Sequence, residues 1–296
     1  MTLLQPDAVI GLPDNSLENI INFRDVGETV NAFLKSKIVR EGVLFRSARL
    51  DDASVRDRER LKAEYGIKTI LDLRTKTEHL RSLQNRHSSL PLQIPGITYL
   101  SVKLTSRRFE LFLLLQLSIL NILKFLFLFL VLNRRMQALT LLGQKVMAPR
   151  GLLRLGLDTL DQSQPEISAS LHSLLPSSSS PNNISSSPLP VLIHCTQGKD
   201  RTGLIIILAL LILQIPPQAI AHDYRLTDRE LLPDRESRLV EISEIGLPDE
   251  FANTSEDFVE HVINYLDENY GGLNSYLTKI GFAESHRIKL RETLSY

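Results

Sequence analysis

Over the first hundred residues, short apolar runs alternate with polar stretches of helical period. Residues 37–45 (KIVREGVLF) mix apolar and polar positions in a way that predicts a strand pair or hairpin. Residues 51–65 (DDASVRDRERLKAEY) predict a capped helix that stops at Gly66, and residues 68–73 (KTILDL) a buried strand after it. A helix leading into an apolar strand is the alternation expected of an α/β protein. Farther on, one apolar run ends at Ile193 and another begins at Leu204, predicting a strand, a tight loop and a helix. Residues 255–269 (SEDFVEHVINYLDEN) form an amphipathic pattern that halts at Gly271 and Gly272, and a short helix continues from Leu273 to Ile280.

Two stretches break this rhythm. Residues 109–132 (FELFLLLQLSILNILKFLFLFLVL) match a bilayer span in length, but Gln116, Ser118, Asn121 and Lys124 interrupt them. A central lysine costs roughly 2.5–3.5 kcal/mol on insertion. Three readings stay open: a buried core helix or helix pair, a helix or lid that lies on lipid or covers a site, and a true span. Arg107 and Arg108 before it, with Arg134 and Arg135 at its end, suit anionic headgroups, so residues 109–135 are a candidate for peripheral membrane contact. Residues 173–190, rich in serine and proline, read as a flexible surface loop within one domain spanning 1–296.

Composition narrows the class. With 34 basic and 34 acidic residues, no net field steers the chain toward nucleic acid. An apolar content of 43% suits a globular core. One cysteine cannot close an internal disulfide, and no basic-then-apolar leader opens the chain, so a cytoplasmic enzyme is the default, membrane-associated if residues 109–135 touch lipid.

That one cysteine lies in HCTQGKDRTG, residues 194–203, between the two apolar runs. A loop this tight turns the backbone N–H groups of Thr196, Gln197, Gly198 and Lys199 inward, and the helix start behind them completes an anion site. Gly198 permits backbone angles that a side chain would forbid. Arg201 can fork onto two phosphate oxygens. The same positive surroundings favour a Cys195 thiolate, poised for in-line attack that yields a phosphocysteine. Thr202 could steady the departing thiolate, while His194 reads as a structural brace. A nucleotide-binding loop fails at two positions: Ile193 stands where its first glycine belongs, and Asp200 where serine or threonine must follow the lysine.

The loop resembles the signature of cysteine-dependent tyrosine and dual-specificity phosphatases, and more narrowly the atypical tyrosine/serine phosphatases of bacteria and fungi. NFRDVGE (22–28), LFRSARL (44–50), ILDLRTKTE (70–78), HDYRLTDREL (222–231) and YGGLNSYLTKIGF (270–282) resemble that family's other blocks in the right order. The resemblance implies hydrolysis of phosphate monoesters through Cys195 and Arg201, with neither metal nor cofactor. It also implies phosphotyrosine or phosphoserine proteins as substrates. A loop lysine such as Lys199, adding charge near the substrate, further suggests phosphoinositides.

Expelling an alkoxide or phenoxide needs an acid near the leaving oxygen. Asp200, inside the loop as in the atypical family, is the first choice. Asp72, at a strand end, and Asp158, upstream of the cysteine, compete; an ion pair with Arg74 or Arg46 is the bland reading of Asp72. Arg24 and Asp25 read as a buried pair holding a turn at Gly27, and Arg46 as lining the pocket or bracing Asp72. The expected fold is α/β, a central and mostly parallel sheet flanked by helices, with the cysteine loop at the carboxyl end of a central strand. Residues 109–150 would form a helical apolar insertion near that mouth, acting as a lid or membrane contact. Two rival functions remain: a non-catalytic phosphate-binding pseudophosphatase and a rhodanese-type sulfurtransferase.

Overall fold

The computed structural model describes residues 17–85, 89–176 and 187–296. Five strands form one sheet: β1 (Arg24–Asp25), β2 (Leu44–Ser47), β3 (Thr69–Asp72), β4 (Thr98–Ser101) and β5 (Val191–His194). Their order is β1-β2-β5-β3-β4, antiparallel between β1 and β2 and parallel elsewhere. The last strand in sequence therefore lies in the middle, and all four of its residues are buried. Register aligns Ser47, His194 and Asp72 in one row at the carboxyl ends of β2, β5 and β3.

Alternation along the strands feeds two cores. Leu71, Val191 and Ile193 join one cluster, whereas Phe45, Ile70 and Leu192 point to the opposite face. Among the described residues, fourteen α-helices surround the sheet. The first three are α1 (Val26–Leu34), α2 (Val55–Glu59) and α3 (Lys76–Asn85). Next come α4 (Arg107–Leu115), α5 (Ile119–Leu126), α6 (Arg135–Leu142), α7 (Ala148–Gln162) and α8 (Gln164–His172). After β5 follow α9 (Asp200–Ile212), α10 (Pro217–Glu230), α11 (Arg235–Glu244), α12 (Phe258–Tyr270), α13 (Leu273–Lys279) and α14 (Glu284–Leu294).

Helix α9 starts at the cysteine loop and is apolar on all sides, with Leu204 to Leu210 buried throughout, so it forms the centre of the larger core. Each such leucine or isoleucine contributes about 1.5–3 kcal/mol on burial. The loop is thus mounted on two of the most deeply packed elements of the molecule.

Several expectations change in detail. Residues 37–45 supply only β2; Gly42 turns the chain at φ 73°, and Val39 makes a lone bridge to Ser295. The helix predicted over 51–65 starts at Val55 because Ser54 caps it, with Asp57 closing a reciprocal capping box. It continues as a wider turn to Glu64 and halts before Gly66 at φ 61°. Helix α12 ends where expected, on Gly271 in the left-handed conformation. Residues 109–132 are not one continuous helix: α4 stops, Ser118 caps α5, and no helix of the described residues is long and apolar enough to cross a membrane. They pack with α6, α7 and α11 around a satellite core that includes Phe109, Leu113, Phe125 and Ile242. Of the serine- and proline-rich stretch, 177–186 lie outside the described residues.

Candidate active site

β5 delivers Cys195 to the carboxyl edge of the sheet, and α9 begins five residues later. The turn between them needs Gly198. Its φ is 66°, and a Cβ there would sit 2.0 Å from the Ser47 carbonyl oxygen. The loop is laced to β2 and to the segment just before β1 at that point. Asn22 Nδ2 donates to the carbonyls of Gln197 at 2.9 Å and Gly198 at 3.2 Å, and Arg46 Nη2 donates to Gly198 at 2.7 Å.

Beneath the loop, Asp223 of α10 organises two buried arginines. It accepts from Arg24 Nε at 2.9 Å and Arg46 Nη1 at 2.6 Å. The pairing corrects two expectations. Arg24 does not pair with Asp25, which instead caps α1 by accepting from the Gly27 N–H and also accepts from the Gly42 N–H. Arg46 neither lines the pocket nor braces Asp72; it is fully buried under the cysteine loop. Burial pushes the Asp223 carboxyl up, but the two guanidinium groups outweigh it and hold it at about 2.

Cys195, 3% exposed, lines a cleft of about 460 Å³ together with Thr196, Gln197, Asp200, Arg201 and Glu78. Glu78, on α3, accepts from both ends of the Arg201 fork, Nη1 at 2.7 Å and Nη2 at 2.5 Å, and from the Thr196 hydroxyl. Burial opposes its charge, yet Arg201 holds its carboxyl well below the usual range. Glu78 thus keeps Arg201 charged and facing the loop. The Thr202 hydroxyl is buried and has no partner among the described residues.

The three competing aspartates separate by environment. Asp72 accepts from Arg74 at 2.8 Å and lies 3.4 Å from His194 Nε2. Burial raises its pKa, but His194 and Arg74 overcome that and hold it at about 2, which leaves it no proton to donate near neutrality. Asp158 sits within α7, clasped by Arg150 at 2.7 Å and Arg154 at 3.1 Å. Asp200 lines the cleft, its Oδ1 has no hydrogen-bond partner among the described residues, and Lys199 Nζ stands 3.7 Å away. His194 is buried, and its Nδ1 lies 3.2 Å from the Cys195 carbonyl oxygen.

Lys199 departs from its expected role. Its side chain is fully buried, and Nζ donates to the carbonyls of Phe251 at 2.6 Å and Asn253 at 2.7 Å. Burial pushes its ammonium pKa down. The charge is engaged by backbone oxygens and secures the turn that presents Phe251 to the cleft.

Residues 15–296 match the tyrosine phosphatase family. The chain belongs to that family. It is also 26% identical over 121 residues to the triple specificity protein phosphatase PtpB of Mycobacterium tuberculosis, covering 36% of this chain. That match spans 44% of the relative's length. Two residues that shape the cleft and its loop, Glu78 and Asp223, carry no signature of their own in the sequence. Both lie inside quoted blocks, ILDLRTKTE and HDYRLTDREL, and that co-occurrence was the available signal.

Proposed function

We propose that this tyrosine phosphatase family member hydrolyses phosphate monoesters of tyrosine and serine proteins, and of phosphoinositides, through a phosphocysteine. Cys195 Sγ attacks phosphorus while the loop amides and the Arg201 fork hold the phosphoryl oxygens. As the P–O bond breaks, Asp200 gives its proton to the leaving oxygen. Water then attacks phosphorus and returns a proton to Asp200, the P–S bond breaks, and Thr202 donates to the departing thiolate. The observation that supports this reading best is the convergence of Cys195, Arg201 and Asp200 on one cleft, which neither Asp72 nor Asp158 lines. The breadth of substrate is suggested by the "triple specificity" of the mycobacterial relative.

The test is phosphate release, without added metal, from a phosphotyrosine peptide, a phosphoserine peptide and phosphoinositide vesicles. Wild type should turn over at least one of them, and Cys195→Ser should lose roughly 10³-fold or more. Binding by both proteins with turnover by neither would make the loop a phosphate receptor. Sulfur transfer from thiosulfate to cyanide would favour the rhodanese alternative.

A further inference from the structure

The insertion has two faces of unlike character. Its inner side supplies Phe109, Leu113, Met136, Leu139 and Leu142 to the cleft that holds Cys195. Its outer side, running along α5 and the turns that flank it, exposes Leu115, Ile119, Leu120, Leu123, Leu130 and Val131 by 59–79%. Side chains this apolar are seldom left together in water over several helical turns.

Charge identifies the occupant. Arg107 and Arg108 precede this segment, Lys124 lies within it, Arg134 and Arg135 follow it, and all five are exposed. Glu110 is the single carboxylate between residues 105 and 149, and it is paired with Lys103 at 2.7 Å. Against a second copy of itself the face would oppose cation to cation. Against anionic headgroups each cation contributes about 1 kcal/mol, with the leucines sunk among the acyl chains. The Ser118 break between α4 and α5, and Lys124 on the exposed side, suit a helix lying in the interfacial plane.

We propose that the outer face of α4, α5 and the turn up to α6 docks on an anionic lipid bilayer. Docking brings the Cys195 cleft within about one helix diameter, ~10 Å, of the headgroup layer. It stands apart from the chemistry at Cys195, so the two are tested separately.

The full chain carrying Cys195→Ser would be sedimented with phosphatidylcholine vesicles, with and without phosphatidylserine and free of phosphoinositide. Binding should rise roughly tenfold or more with phosphatidylserine and weaken with added salt. Leu120→Asp with Leu123→Asp, and separately Arg134→Glu with Arg135→Glu, should each abolish it. In the Cys195 background both pairs should keep wild-type circular dichroism and turnover of a soluble aryl phosphate. Absence of sedimentation, or sedimentation indifferent to both pairs, overturns the proposal. So does a concentration-dependent dimer, seen by light scattering, that the leucine pair dissolves. Docking without any phosphate release by the Cys195 chain would leave this inference standing and remove the phosphatase reading instead.

Discussion

At the residue scale, the site depends on which charges have partners. Arg201 is aimed by Glu78, and Asp200 lines the same cleft as Cys195, its Oδ1 without a hydrogen bond among the described residues but 3.7 Å from Lys199 Nζ. Asp72 belongs to the scaffold, and titration can demonstrate it. Its carboxyl is held down from 3.8 to about 2, so its contribution is fully present above about pH 4 and is lost as pH falls through about 2. That difference corresponds to about 2 kcal/mol near neutrality. Asp72→Asn should therefore lower stability at pH 7, and the deficit should shrink by roughly half near pH 3. Denaturant melts at both pH values check this; an equal deficit at both would mean the carboxylate is unpaired in solution.

At the element scale, the cysteine loop is held from below as much as from its own ends. Asp223 ties α10 to Arg24 of β1 and Arg46 of β2, and Arg46 in turn holds the Gly198 carbonyl. Removing one partner of a buried ionic cluster strands the others without solvent. Asp223→Ala should therefore cost about 3–5 kcal/mol, read as a fall in the denaturation midpoint together with lost turnover. A change below about 1 kcal/mol, the range of exposed pairs, would show that water reaches the arginines. Helix α9, buried on every side, and β5 before it were legible from two apolar runs. The arginine cluster was not, because its members lie 177 and 199 residues from their partner and nothing local records that pairing.

At the scale of the whole molecule, the cleft is a composite. One wall is the charged loop and α3; the other is apolar and comes from the insertion, α7, and α11 with the turns after it. An apolar wall binds ground state and transition state alike, so it should affect KM more than kcat. Leu139→Gln is expected to raise KM several-fold for a bulky aryl phosphate while kcat stays within about twofold. Steady-state kinetics decide the point, and a matching fall in kcat would move Leu139 into the reacting zone.

The α/β alternation, the strand–loop–helix around Cys195 and the order of blocks shared with the tyrosine phosphatases are all legible along the unfolded chain. Each of these is written in local period or in short contiguous motifs, where neighbouring residues dictate one another's conformation. Long-range packing put Lys199 on backbone carbonyls, paired Asp72 with Arg74 and Asp158 with Arg150, set Asp200 in the cleft with Lys199 Nζ 3.7 Å from its Oδ1, and folded the apolar segment back as a wall of that cleft. Those outcomes depend on which distant groups compete for the same charge or the same surface, and such competition is settled only once the chain has closed on itself.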